Sequence, residues 1–267
     1  MIEELKKLRV FDRITFFDKD HTYKIDKQPS AKVSVTGLVG SVKEKFEEDK
    51  WAAIKGKELR VTAEEMKLLW KKNNQMSTYQ GSTLHNYIDN FYQNKIIPYN
   101  QVLAESILGI TLHEMMKTNL RVLIKQFNNF YNTTKDSVLP IKNEFIVGDL
   151  TATKVCGMLD MLAYNTDTNT FEIYDFKTNK RFNEISEYKK KLLSPVEHLD
   201  ECEFNTYSLQ LSLYKIFIQK YTGIEVSNLK IAWFSVNNED YKIIELKYMP
   251  DECAALMKKF LTDNPVN

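Results

Sequence analysis

Three charged residues in the C-terminal half of the chain lie in segments that have the composition of β-strands. Asp175 and Lys177 alternate with Tyr174 and Phe176, and Asp160 lies in the apolar segment before them. Because residues two apart in a strand point to the same face, Asp175 and Lys177 should emerge side by side. Their aromatic neighbours point to the opposite face, where they can pack.

The segment 165–169, Asn-Thr-Asp-Thr-Asn, has the composition of a tight turn between two antiparallel strands. Pairing about this turn brings Asp160 roughly opposite Asp175 and Lys177. Two carboxylates and an ammonium held together in an apolar hairpin are costly unless a further charge compensates them. Mg²⁺ is the natural compensation, because carboxylate oxygens bind it and leave several waters free for a substrate phosphate.

This arrangement predicts hydrolysis of a phosphodiester. A divalent cation polarises a phosphoryl oxygen and lowers the pKa of a water, and Lys177 orients that water or stabilises charge on the phosphate. The plain alternative is a solvent-exposed ion pair at a hairpin end, which is common in proteins. The apolar, aromatic setting and the second aspartate favour the metal site. Thr178 and Lys180 follow directly, and we expect them to contact a nucleic-acid backbone.

The elements that must position these residues differ between the two halves of the chain. Residues 1–135 are predicted to be mainly helical after a short β-rich start at 11–40, which includes an extended piece at 33–38. Apolar residues recur at three- and four-residue spacing, which predicts helices, over 44–56, 62–77, 82–94 and 101–133. Gly81 and Ser82 are expected to separate the second helix from the third.

Residues 136–267 are predicted to form a β-sheet core that carries helices. The period of two that marks strands recurs at 141–147, 153–164, 171–178, 229–236 and 241–248. Helices are expected at 204–221 and from Pro250, where proline and acidic residues suit a first turn. We therefore expect one α/β domain over residues 1–267.

Composition places few limits on function. The formal net charge of +1 shows that the chain as a whole is not a polycation. DNA binding is still compatible with this charge, because an acidic metal site can offset basic patches in the total. No run of ~18 apolar residues predicts a membrane span, and the first residues lack the apolar core of a secretion signal. The three cysteines are widely spaced, which favours a reducing compartment such as the cytoplasm over a disulfide framework or a zinc knuckle.

Short motifs follow one another over most of the chain. They are Ser34-Val35-Thr36-Gly37, Trp51-Ala52-Ala53-Ile54-Lys55-Gly56, Gly81-x-x-x-His85, Glu144, Gly157-x-x-Asp160, Asp175-Phe176-Lys177-Thr178 and Gln210-x-x-x-Tyr214. In the order and spacing of these motifs, the chain resembles the PD-(D/E)XK nuclease superfamily, specifically its RecB-like branch. The layout is most similar to that of the mitochondrial genome maintenance exonuclease and its phage-type relatives.

The resemblance implies a restriction-endonuclease-like fold, an α/β core with a central mixed sheet flanked by helices and a helical N-terminal half. Mg²⁺, for which Mn²⁺ substitutes, would be bound by His85, Asp160, Asp175 and the main-chain carbonyl of Phe176. The catalytic residues would be Lys177, Asp175, Asp160 and an upstream acid, Glu144. Gln210 and Tyr214, which share a helix face, would contact DNA or face the site.

Residue patterns alone favour plainer roles for some of these positions. A lone histidine such as His85 on a helix face is more often structural, and Gln210 and Tyr214 lie among core residues. Four-cysteine iron–sulfur clusters occur in several RecB-like nucleases. Three widely spaced cysteines do not fit such a cluster, so we expect none.

The resemblance further implies an exonuclease that acts on single-stranded DNA ends in replication, repair or recombination. A recombination or replication protein is a candidate partner, and a phage-encoded chain would work in the host cytoplasm. The helical half would form an arch over the sheet, where Tyr87, Phe91 and Tyr92 could stack on bases. An endonuclease of the same fold, a non-catalytic DNA-binding protein and RNA as the substrate are open alternatives.

Overall fold

The computed structural model describes residues 2–31 and 33–265 and has an α/β architecture with a helical N-terminal half. Its α-helices, in chain order, are α1 (Ile2–Lys7), α2 (Val35–Gly40), α3 (Glu48–Leu59), α4 (Ala63–Tyr92), α5 (Gln101–Leu108), α6 (Ile110–Thr134), α7 (Glu203–Thr222) and α8 (Pro250–Asp263). Its strands are β1 (Ile14–Phe17), β2 (Thr22–Ile25), β3 (Gln28–Pro29), β4 (Val138–Gly148), β5 (Cys156–Asn165), β6 (Thr170–Lys177), β7 (Val226–Trp233) and β8 (Lys242–Glu245). A 3-10 helix, Leu8–Arg13, follows α1.

Strands β4 to β8 form one mixed sheet in sequence order, and β1 to β3 form a small separate sheet. Neighbouring strands of the larger sheet are antiparallel except for β6 and β7, which are parallel. Helix α7 lies between these two strands in the chain, because parallel neighbours need a crossover that returns to the same end of the sheet. The predicted mixed sheet is therefore confirmed, as is the hairpin in which Asn165 pairs with Thr170.

The central strand β6 is buried from Phe171 to Phe176, so its side chains alternate between two cores. Tyr174 and Phe176 enter a core that also contains residues of α4, α5 and α6, hereafter the N-terminal core. Ile173 enters a second core, to which α2, α7 and α8 contribute. By the same alternation Asp175 points to the side of this second core, at the end of the strand.

The structure corrects the prediction for residues 33–38, which their valines and threonine made appear extended. The chain instead begins α2 at Val35. Ser34 caps this helix, since its Oγ accepts a hydrogen bond from the Gly37 nitrogen at 3.1 Å. A satisfied helix cap outweighs the strand preference of a few β-branched residues, because that preference depends strongly on context.

Two helix boundaries in the N-terminal half also differ from the prediction. The break expected at Gly81 does not occur, and the segments 62–77 and 82–94 belong to the single helix α4. A lone glycine weakens a helix by only about 1 kcal/mol, which packing against neighbouring elements can offset. Conversely, the single helix predicted at 101–133 is divided at Gly109, whose φ of +82° lies outside the helical region.

Two features bear on the environment of the chain. Its three cysteines, Cys156, Cys202 and Cys253, are buried and none forms a disulfide. Among residues 2–31 and 33–265, no helix combines the length and the apolar character that a membrane span requires.

Candidate metal centre

The residues predicted for the metal centre come from one helix and three neighbouring strands of the larger sheet. Helix α4 carries His85, β4 carries Glu144, β5 carries Asp160, and β6 carries Asp175 and Lys177. One potential ligand atom from each of His85, Glu144 and Asp160 lies within 4.8 Å of the others. These three groups are therefore close enough to bind one ion together.

His85 connects α4 to the sheet through both ring nitrogens. Its Nε2 lies 2.9 Å from the Phe176 carbonyl oxygen, to which it donates when it carries the proton. Its Nδ1 faces two carboxylates, at 3.4 Å from Asp160 Oδ1 and 4.0 Å from Glu144 Oε1. The carbonyl predicted to bind metal thus accepts a hydrogen bond that holds the imidazole with Nδ1 directed at the carboxylates.

Asp160 lies where the ladder between β5 and β6 ends. The last paired residues are Met161, which follows Asp160 in the chain, and Tyr174, which precedes Asp175. The Phe176 nitrogen donates to Asp160 Oδ2 at 2.5 Å, so the carboxylate takes the place of a ladder carbonyl. This bond orients Asp160 and leaves its Oδ1 facing the histidine.

Glu144 has a backbone conformation that is unusual for a strand residue. Its φ is +45°, in the left-handed region, although β4 pairs with β5 on both sides of it. A residue other than glycine in this region costs of order 1–3 kcal/mol, and such residues are concentrated at functional sites. The local irregularity accompanies a carboxylate that approaches both His85 and Asp160.

Asp175 and Lys177 form an ion pair at the end of β6. Asp175 is 1% exposed, and apart from Lys177 its Oδ2 meets no hydrogen-bond donor in the described part of the chain. Lys177 Nζ also lies 5.2 Å from the centre of the Tyr207 ring, within the range of a cation–π contact. The ion pair and the aromatic ring together hold the ammonium beside the carboxylates.

The charges in the centre perturb one another. Burial raises the pKa of Glu144 to about 7, and the nearby Asp160 carboxylate adds to the rise. Burial and then Asp160 likewise raise the pKa of Asp175 to about 6. Burial alone would lower the pKa of His85, but the Asp160 carboxylate raises it to about 9. The pKa of Lys177 is also raised, because Asp175 and Asp160 outweigh the effect of burial.

These shifts indicate an excess of negative charge at the centre. Glu144 and Asp175 keep their protons to higher pH because each faces a further carboxylate in a poorly solvated place. A divalent cation would relieve the same repulsion. Carboxylate oxygens with one imidazole nitrogen are donors that Mg²⁺ and Mn²⁺ accept, so the residues present fit the predicted ion.

Tyr214 and Gln210 interact on α7, but Tyr214 is buried. The Tyr214 hydroxyl donates to the Met158 carbonyl at 3.0 Å, and the Gln210 amide donates to that hydroxyl at 3.4 Å. A Cβ on Gly157 would lie 2.8 Å from Tyr214 Cε1, so glycine is needed where α7 approaches β5. Tyr214 therefore positions the strand that carries Asp160, and it offers no surface for the predicted DNA contact.

A pocket of about 410 Å³, hereafter the side pocket, opens beside the centre. Thr178 and Lys180, both predicted to contact DNA, lie in its lining. So do Gln80 from α4, Asn119 from α6 and Tyr207 from α7. The sequence had singled out none of these three, although Tyr207 lies about one turn before the Gln-x-x-x-Tyr motif.

The aromatic residues predicted to stack on bases pack within the N-terminal core instead. The rings of Tyr87, Phe91 and Tyr92 contact Phe127 edge-on, with centres 5.9, 5.3 and 6.0 Å apart. Phe91 also contacts Tyr131 at 4.8 Å. These rings stabilise the packing of α4 against α6, so the predicted stacking on bases is not supported.

Comparisons with known proteins add little to this geometry. No protein-family model matches the chain, and no curated protein matches it. Among solved structures, the crystal structure of SSO0001 is similar with a TM-score of 0.30 and 10% sequence identity, over 61% of this chain and 70% of that one. A similarity this low supports no statement about fold or function.

Proposed function

We propose that this protein is a metal-dependent nuclease that hydrolyses DNA phosphodiester bonds, and that it belongs to the RecB-like branch of the PD-(D/E)XK superfamily. One observation carries the proposal: a helix and three strands bring an imidazole, three carboxylates and a lysine to one place. Such a cluster destabilises a fold unless a ligand offsets its charge, and groups with perturbed pKa values are concentrated at functional sites.

The ion would be held by His85 Nδ1 and by the carboxylates of Glu144 and Asp160, with Asp175 adjoining them. When bound, Mg²⁺ or Mn²⁺ supplies Lewis-acid chemistry to a phosphate oxygen and lowers the pKa of water. The chain contributes orientation. The hydrogen bonds of the Phe176 backbone fix both His85 and Asp160, so neither side chain has to reorganise when an ion arrives.

We assign to Lys177 the role of stabilising negative charge on the phosphate. Its raised pKa keeps the ammonium protonated at neutral pH. It also lines the side pocket, where a phosphate can approach it. Asp175 and Tyr207 hold the ammonium in place, and a cation that is already oriented in a poorly solvated site stabilises developing negative charge better than water does.

Among nucleases, the family resemblance favours an exonuclease that acts on single-stranded DNA ends in replication, repair or recombination. Digestion of labelled DNA tests this. Single-stranded and double-stranded oligonucleotides blocked at either end, a circular single strand and an RNA strand are incubated with Mg²⁺, with Mn²⁺ or with chelator. The wild-type protein is expected to shorten open DNA single strands only in the presence of metal. Cutting of the circle would instead indicate an endonuclease, and preferential loss of the RNA would reassign the substrate.

The variant Asp175→Asn is expected to lower the cleavage rate about 100-fold or more, because it removes the carboxylate that orients Lys177 and adjoins the ion. Asp20→Asn, in the exposed turn between β1 and β2, makes the same substitution away from the centre and should cleave normally. Thermal unfolding of both variants checks that they fold. Undiminished cleavage by Asp175→Asn contradicts the assignment, and DNA binding without cleavage in any metal favours a non-catalytic binding protein.

A further inference from the structure

The side pocket has a lining that differs from the metal centre beside it. It shares His85, Phe176 and Lys177 with the centre, and Lys180 adds a second ammonium. The residues that line it, all within the described chain, include no carboxylate. Lys177 is paired with Asp175 behind the lining, and a second ammonium at Lys180 leaves an excess of positive charge in the side pocket, which favours a ligand that bears phosphate.

Two amide side chains form a pair on the wall of the side pocket. Asn119 Nδ2 donates to Gln80 Oε1 at 3.0 Å. Within residues 2–31 and 33–265, the Gln80 amide nitrogen and the Asn119 carbonyl oxygen, which this bond does not use, have no hydrogen-bond partner. The pair thus offers one donor and one acceptor to a ligand. Amide side chains recognise the edges of nucleobases with this combination.

Asn179 provides a second, independent sign of a ligand in the side pocket, whose lining it joins. Its Nδ2 donates to the Arg181 carbonyl. Its Oδ1 is buried and meets no donor from any described residue. A buried acceptor without a donor is uncommon in a native protein, and a donor that reached it from the side pocket would complete its hydrogen bonding. The amino and imino groups of nucleobases are donors of this kind.

The size of the side pocket limits what can enter it. About 410 Å³ lies near the lower end of the range of roughly 300–1,000 Å³ that is typical of small-molecule sites. This volume accommodates one nucleotide. A base whose pairing edge faces Gln80 and Asn119 has no complementary base on that edge, so its nucleotide comes from a single strand or a frayed end.

We propose that the side pocket binds one unpaired nucleobase next to the phosphate that is cleaved, and that Gln80 and Asn119 recognise the edge of this base. The inference rests on the proposed nuclease function and narrows its substrate to strands without a partner at the cleavage point. A base held there brings its own phosphate to Lys177. Lys180 is positioned for the neighbouring phosphate along the strand.

A single-stranded oligonucleotide with one abasic sugar at a defined position tests the proposal. Because the sugar and phosphates stay intact, only contacts to the base are lost. The wild-type protein is expected to cut the phosphates that flank the abasic sugar about tenfold more slowly than the same phosphates of the intact strand. Asn119→Ala is expected to cut the intact strand about tenfold more slowly, and to show little further loss at the abasic sugar.

Asn132→Ala is the matched control, because Asn132 is an exposed asparagine on the same helix, α6. It should retain both the wild-type rate and the wild-type sensitivity to the abasic sugar. Gln80→Ala tests the other amide and replaces Asn119→Ala if that variant unfolds. The proposal is overturned if the wild-type protein cuts both strands equally, or if the amide variants keep the full abasic effect.

A binding measurement separates failure of this proposal from failure of the nuclease assignment. Thymidine 5′-monophosphate and deoxyribose 5-phosphate are titrated into the protein in chelator, with ligand-observed NMR as the readout. Tighter binding of the nucleotide, lost in Asn119→Ala, supports the pocket even if no DNA is cut in any metal. Equal binding of both compounds, together with metal-dependent cleavage, overturns the proposal that the side pocket binds a nucleobase and leaves the nuclease assignment intact.

Discussion

At the proposed metal centre, a proton and a divalent cation would compete for the same atoms of His85 and Glu144. The pKa of His85 is about 9 and that of Glu144 about 7. Both groups hold a proton below these values, whereas a metal ligand must be free of it. As the pH rises, Glu144 loses its proton first and His85 loses its proton at higher pH. We therefore expect the apparent affinity for Mn²⁺, measured by calorimetry, to rise steadily between about pH 6 and pH 9.

The variant His85→Asn separates the two steps, because an amide does not titrate. Its affinity for Mn²⁺ should be weaker than that of the wild-type protein and should stop rising once Glu144 has lost its proton. Transfer of protons to the buffer during the wild-type titration gives an independent count of the groups involved. An affinity for Mn²⁺ that does not change with pH would contradict the assignment of both ligands.

Backbone strain at Glu144 gives a second prediction at the scale of one residue. Its φ of +45° suits glycine better than any residue with a Cβ. Both Glu144→Gly and Glu144→Ala remove the carboxylate and should weaken metal binding alike. Only glycine also removes the strain, so chemical denaturation should find Glu144→Gly more stable than Glu144→Ala by roughly 1 kcal/mol.

The same pair of substitutions at Lys142, an exposed position of β4, provides the control. In an ordinary strand glycine is the less stable choice, so the order of the two variants should reverse there. If alanine is also the more stable of the two at position 144, the left-handed backbone stores no strain.

At the scale of elements, the approach of α7 to β5 depends on Gly157. A Cβ at this position would lie 2.8 Å from Tyr214 Cε1 and 3.0 Å from Val35 Cβ. Gly157→Ala should therefore lower the free energy of unfolding by about 1–3 kcal/mol, the usual cost of overpacking. It should also slow cleavage, because Tyr214 supports the backbone of Met158 two residues before Asp160.

Gly40→Ala is the matched substitution, since a Cβ there would meet no atom within 4 Å. We expect it to be neutral or slightly stabilising in chemical denaturation. Combining Gly157→Ala with Tyr214→Leu should recover part of the lost stability, because the shorter side chain makes room for the new methyl group. Equal stability of Gly157→Ala and the wild-type protein would show that α7 can move away at no cost.

Local patterns predicted the elements better than they predicted how the elements meet. The alternation in β5 and β6 and the turn at 165–169 give the hairpin and its register, because both depend on near neighbours. The parallel pairing of β6 with β7 depends on a crossover through a whole helix and leaves no local signal. Segment 33–38 was mispredicted because its β-branched residues masked a serine cap.

The same division applies to the candidate site. Asp160, Asp175 and Lys177 come together through one hairpin, so their spacing alone suggested the centre. His85 and Glu144 entered only through the resemblance, because nothing in a lone histidine or glutamate indicates which strand it will face. The side pocket was missed altogether, since its walls depend on how three helices meet the end of β6.

At the scale of the whole molecule, an ion at the centre would join the helical N-terminal half to the sheet. One ligand, His85, lies on α4, and the others lie on strands. Mn²⁺ at about 100 times its Kd should stabilise the fold by roughly 2.7 kcal/mol, which corresponds to about 5–10 °C in melting temperature. Thermal unfolding with and without chelator measures this shift.

His85→Ala should lose most of that shift, because the variant has no ligand on α4. His198→Ala removes an exposed histidine that contacts Glu252 and should keep the shift unchanged. Hydrogen exchange should likewise slow in α4 of the wild-type protein when Mn²⁺ is added. A full thermal shift in His85→Ala would mean that the ion binds elsewhere.

The parallel pairing of β6 with β7 also affects when the sheet can be completed during synthesis on the ribosome. When a ribosome has released the chain only as far as Lys177, every candidate ligand has been synthesised, yet β6 is still an open edge. The strand that closes this edge follows only after α7. On the proposed function, a nascent chain would begin to hydrolyse nucleic acid only after α7 and β7 have been synthesised and this edge is closed.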